Sequence, residues 1–157
     1  MKRLKRCLIF SLQKDKKAML NGKRLPFIER SNSLGVSSRM PYLPIILTYQ
    51  GCCVEVMALL DTGASVNVLP YEVGLQLGAV WEEQTVPIQL TGNLARSESR
   101  GLVISTTVAE FSPVLLAFPW TALREVPLIL GHMNFFTEFD VCFYRADLAF
   151  EIRSRGK

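Results

Sequence analysis

Histidine is almost absent: the chain of 157 residues holds one, His132. An H-E-x-x-H zinc site cannot be built from it, and any Ser-His or Cys-His mechanism would depend on that single ring. Long apolar runs are missing as well. The strongest, at 43–47 and 126–130, end within a few positions, well short of the roughly 20 residues that a membrane-spanning helix requires. There is no Gly-rich phosphate loop, and no cluster of Cys, His or carboxylates has metal-ligand spacing, so neither a metal nor an organic cofactor is implied. The four cysteines, Cys7, Cys52, Cys53 and Cys142, form no C-x-x-C pair. They read as reduced core residues, which favours a reducing, cytoplasmic compartment.

What is present fits one globular domain: 49% hydrophobic and 20% charged residues over a length too short for two large units. The net charge of +4 conceals an asymmetry, because residues 1–39 hold 11 of the 18 Lys and Arg but only Asp15 and Glu29 of the 14 acids. That segment carries +9 and the remainder −5. It reads as a basic, flexible N-terminal extension. Its apolar stretch, Cys7 to Phe10, is too short for a secretory signal and no small-residue cleavage site follows, so no export is expected. Met40 offers an alternative start of translation, in which case the extension is a gene-model artefact. The folded unit is expected over residues 40–157, its ordered part ending near Arg153.

That unit reads as mostly β, with short segments rich in Val, Ile, Thr and Phe between turn residues. Strands at 42–49 and 52–60 flank Gln50-Gly51, a hairpin. Further strands are expected at 65–69, 86–91, 102–109, 114–118 and 127–130, and a closing pair at 141–144 and 148–152. Only two short helices are expected, at 71–77, stopped by Gly78, and at 132–139. The aromatic residues Phe135, Phe136, Phe139, Phe143, Tyr144 and Phe150 fit core and a subunit interface.

The chemistry concentrates where Leu59-Leu60 runs into Asp61-Thr62-Gly63-Ala64-Ser65 and then Val68-Leu69-Pro70. Asp-Thr-Gly by itself arises by chance in on the order of a few per cent of chains this long, and the bland reading is a capped turn. The context raises it, because a carboxylate ending an apolar strand is costly to desolvate unless a neighbour shares its proton or donates to it. This segment resembles the active-site loop of retropepsin-like aspartic proteases. A second match, Leu128-Ile129-Leu130-Gly131 followed by His132-Met133-Asn134-Phe135-Phe136, is similar to the family's apolar-apolar-Gly strand that crosses behind the loop, with its short helix.

The resemblance implies a retropepsin-like closed β-barrel of the acid-protease fold, of the soluble bacterial type rather than the viral one. It implies Asp61 as the catalytic acid. Such an enzyme needs two carboxylates sharing one proton, and this chain supplies one, so a homodimer is expected, with Asp61 of each subunit meeting at a twofold axis and the monomer inactive. Thr62 would bond across the axis. Gly63 would donate its N–H toward a carboxylate, and Leu130 and Gly131 would pack behind the loop, Gly131 where a side chain would collide. Ala64 cannot donate the hydroxyl hydrogen bond that Ser or Thr offers the ionised pair, so activity is expected nearer neutral pH than in the acid-adapted pepsins.

A flap over the cleft is expected at 89–102, beginning with Thr91, Gly92 and Asn93, with a solvent-facing charged hairpin as the alternative. His132 reads as structural. The substrate would be a protein or peptide, with no membrane span and no specific nucleic acid. Two other readings stay open: a peptide-binding module with little proteolysis, and a nucleic-acid-associated protein acting through its basic extension.

Overall fold

The chain is described here by a computed structural model over residues 22–31 and 34–156. Strands β1 (Lys23–Pro26), β2 (Ile28–Ser31) and β3 (Ser37–Met40) come first. Strands β4 (Tyr42–Tyr49) and β5 (Cys52–Leu60) follow. Their hairpin forms where expected, because Gln50 and Gly51 both take positive φ, 46° and 84°, the turn geometry that matches strand twist. Helix α1 (Tyr71–Gln76) comes next, and Gly78, at φ 76°, ends that turn. Then come β6 (Ser99–Val108), β7 (Val114–Thr121), β8 (Leu128–Leu130), helix α2 (Phe135–Glu138), β9 (Phe139–Tyr144) and β10 (Ala149–Ser154).

The main sheet runs β7-β6-β4-β5-β8, with β8 parallel to β5. Residues 66–69 then close it into a barrel. Val68 and Ile129 exchange both backbone hydrogen bonds (2.9 and 3.0 Å), and Leu69 bonds Pro119 and Thr121 of β7, both at 3.0 Å. The stretch expected as a strand at 65–69 is therefore extended but divides its bonds between two partners. Alternation along β4 places Leu43, Ile45 and Leu47 inside and leaves Pro44 and Ile46 outside. They join Leu102, Ile104, Leu116, Phe118, Trp120 and Leu130 in one core, each large side chain worth about 2 kcal/mol of burial.

A second, three-stranded sheet, β1-β10-β9, packs beside the barrel. Here the structure departs from the sequence reading, which placed 1–39 in a flexible extension. Lys23 to Pro26 pair antiparallel with Ile152 to Ala149, while Leu25 and Phe27 pack against the core. The alternation Lys23-Arg24-Leu25-Pro26-Phe27, masked by the surrounding basic charge, is what drives it. Lys23 also reaches Glu110 at 2.8 Å, and its ammonium holds that carboxyl below the usual carboxylate range. Residues 1–21 lie outside those described.

Phe135, Phe139 and Phe150 are buried core residues, whereas Phe143 is exposed. Cys52, half-buried, and Cys142, exposed on β9, are free thiols. Cys53 Sγ lies 3.4 Å from Thr48 Oγ1, and Cys7 is not among the described residues. Among the described residues no helix is long and apolar enough to cross a membrane.

Candidate active site

The loop from Asp61 to Ser65 leaves the end of β5 and is held almost entirely by the strand behind it. Asp61 donates its N–H to Leu130 O (3.1 Å), His132 donates its N–H to Ala64 O (2.9 Å), and Met133 donates to Ser65 O (2.7 Å). The parallel register sets Leu60 opposite Leu130, both buried. The structure thus brings together segments 70 residues apart in sequence, those of Asp61 and Gly131.

The side chain of Asp61 is half-buried and accepts a hydrogen bond from Gly63 N–H at 2.9 Å. Among the described residues no ion pair and no second carboxylate engages it. One carboxylate held by one backbone donor, with its other lone pairs open, can accept a further proton-sharing partner. Thr62 and Gly63 are exposed and Ala64 is half-buried with only a methyl to offer. Behind the loop Gly131 is buried, and a Cβ there would lie 2.4 Å from Val66 O and 2.7 Å from Ala64 O. Only glycine fits that crossing.

Asn67, fully buried, is a residue the sequence reading passed over. Its Oδ1 accepts Gly131 N–H (2.9 Å) and its Nδ2 donates to Ala117 O (3.0 Å). Asn134, at φ 82°, accepts the N–H of the same Ala117 on β7. Two amides thereby tie the barrel seam to the strand behind the loop. An Asn between two valines in an otherwise apolar strand was the available signal, since a buried amide must satisfy both ends. Replacing Asn67 with Ala leaves Gly131 N–H unpaired in a buried place and should cost about 2 kcal/mol, read as a lowered denaturant midpoint with unchanged slope. The same ties explain why α2 begins at Phe135 rather than 132: residues 131–133 are spent on the loop in extended form, with Val66 bridging Met133.

The proposed flap is an irregular loop with a strand-like base. Ile88 N–H bonds Ser99 O (3.0 Å) and Gly101 N–H bonds Val86 O (2.8 Å), so 86–88 face 99–101. Of the strand expected at 86–91 only an isolated bridge between Pro87 and Arg100 forms, with Pro87 at its non-hydrogen-bonded position, and Gly92, at φ 62°, then opens a single 3-10 turn. Thr91, Gly92 and Asn93 are exposed at that turn, and among the described residues no hydrogen bond joins them to Asp61–Ala64. The base is anchored by Arg100, whose guanidinium lies 4.6 Å over the Trp81 ring and donates to Trp81 O, while Trp81 packs on Trp120. Among the described residues no group of three or more His, Cys, Asp or Glu could hold a metal ion.

These features define a closed β-barrel with a carboxylate loop backed by a crossing apolar-Gly strand. Compared with solved structures, the chain is similar to a retropepsin-like aspartic protease from Rickettsia conorii, at 19% identity and a TM-score of 0.50 over 84% of this chain and 92% of that one. It also matches EIAV protease complexed with the inhibitor HBY-793, at 17% identity and a TM-score of 0.43 over 65% of this chain and 88% of that one. No protein-family model and no curated protein matches the chain. The chain has the all-β fold of the retropepsin-like aspartic proteases.

Proposed function

We propose that the chain is an aspartic endopeptidase that works as a homodimer, with Asp61 of each subunit forming one proton-sharing pair. The observation that carries this reading is the half-buried Asp61 carboxylate, held by Gly63 N–H at the mouth of the loop with no second acid engaging it among the described residues. A single carboxylate cannot be base and acid at once. With two, the ionised one takes a proton from water as the oxygen attacks the peptide carbonyl, and the protonated one donates to the carbonyl oxygen. As the diol collapses, the protonated acid gives its proton to the departing nitrogen while the ionised one takes a proton from a diol hydroxyl, so the C–N bond breaks, the carbonyl re-forms and the pair again holds one proton. Thr62, exposed beside the acid, serves the contact between subunits, and the 89–102 loop covers the substrate.

The test is incubation with a diverse peptide library from about pH 4 to about pH 8, with and without pepstatin. Pepstatin-sensitive cleavage whose specific activity falls on dilution supports the reading; concentration-independent activity, or binding of peptides without any cleavage, defeats it. Ala64 supplies a separate prediction. Ala64→Ser adds a hydroxyl able to donate to the ionised pair, which favours the charged form, so the acidic limb of the pH–rate profile should move to lower pH. An unmoved limb would mean that this position does not face the acids.

A further inference from the structure

The one histidine reaches the loop with its side chain as well as its backbone. His132 Nε2 lies 2.7 Å from the carbonyl oxygen of Thr62. A carbonyl oxygen can only accept, so Nε2 carries the hydrogen and donates. The ring leans on Phe136, with centroids 5.3 Å apart, which fixes its direction. The Thr62 carbonyl and the Gly63 N–H belong to one peptide unit, and that unit is trans, so the two groups point to opposite sides of it. On one side stands the imidazole, and on the other the Gly63 N–H donates to Asp61 Oδ1 at 2.9 Å.

Resting on the protease reading for its catalytic consequence, we propose that His132 is a positioning residue: it clamps the Thr62–Gly63 peptide so that the Gly63 N–H stays aimed at the Asp61 carboxylate. Consecutive hydrogen bonds through one peptide polarise each other, so the imidazole donor also strengthens the bond to the carboxylate. Nothing else grips this peptide from that side among the described side chains. Of the remaining loop bonds, Ala64 N–H to Asp61 O (3.2 Å) closes the turn around this peptide and those to Ala64 O and Ser65 O lie beyond it, so none of them holds the Thr62 carbonyl itself. The single histidine thus acts on the acid without touching it.

The test uses His132→Phe, which keeps a ring against Phe136 but removes the donor, and His132→Gln, whose amide nitrogen sits where Nε2 does. In the full-length protein, kcat should fall by about threefold to tenfold in H132F, the loss expected of one hydrogen bond. KM should stay within about twofold, because the clamp acts on the acid and not on substrate binding. H132Q should recover most of kcat. The second readout needs no cleavage: the NMR signal of the Gly63 amide proton should move upfield in H132F and hold its place in H132Q, as the bond to the carboxylate loosens or persists. Unchanged kcat together with an unmoved Gly63 signal in H132F overturns the clamp. So does H132Q behaving like H132F, since the effect would then belong to ring packing. A Gly63 shift in a chain that cleaves no peptide would keep the clamp and sink the protease reading, so the two failures are separable.

Discussion

Replacing Asp61 with Asn should lower peptide cleavage by about a thousandfold, the loss expected when general acid–base transfer is removed, while leaving the fold intact. The substitution isolates chemistry from structure for a local reason. An asparagine Oδ1 can still accept the Gly63 N–H that Asp61 accepts, and the backbone bond from residue 61 to Leu130 O is untouched. In a homodimer both acids change together, so no residual asymmetric pair survives. The neutral amides also repel each other less than a pair of carboxylates in its doubly ionised form, so self-association measured by sedimentation should be as strong as in the unaltered protein or stronger. Thermal stability should stay within about 0.5 kcal/mol. Retained turnover in Asp61→Asn would remove this carboxylate from the reaction. Retained peptide binding without turnover in both proteins would make the groove a recognition site.

Gly131→Ala should be the most damaging small substitution for stability, at about 3 kcal/mol or more. The added methyl meets backbone: Val66 O at 2.4 Å, and Ala64 O and Val66 C at 2.7 Å. A flexible side chain could swing aside; a carbonyl held in the barrel seam cannot. Relief therefore requires the β8 strand to part from residues 64–68, which breaks the bond from His132 N–H to Ala64 O and the bond from Gly131 N–H to Asn67 Oδ1. For a domain of this size the shift in melting temperature is about 10 °C, checked by calorimetry. Because the same crossing seats the loop, activity should fall below what the folded fraction accounts for. A melting temperature unchanged from the parent protein would show that the crossing tolerates a side chain.

Much of the barrel was legible in the sequence because its signals are local. Val, Ile and Leu alternation with Gln50-Gly51 between the runs specifies the β4–β5 hairpin, and its bounds matched to the residue. The pairing of the Asp61 loop with Leu130-Gly131 was legible for a different reason: glycine and an isolated acid among apolar residues are costly unless something specific requires them. What stayed hidden depends on neighbours distant in the chain. Nothing within residues 23–27 reveals that β10 will offer Leu25 and Phe27 an edge to pair with, and the charge around them argued for solvent. Asn67 looked like an unremarkable polar residue until Ala117 and Gly131 were brought to its two ends. Of the segment expected as a strand at 86–91 only the bridge at Pro87 formed, since periodicity alone does not register that Gly92 will take the chain into a 3-10 turn.

The parallel pairing of β5 with β8 also governs when the site can exist. Ala58, Leu59 and Leu60 find their partners at Leu128, Ile129 and Leu130, a contact separated by nearly half the chain, and such distant closures are slow steps in folding. During synthesis, a growing polypeptide carries Asp61 for a long interval before the stretch that seats it has left the ribosome. Whatever reaction Asp61 performs is thereby withheld from the nascent chain, and a product truncated before residue 128 would be inert from the outset.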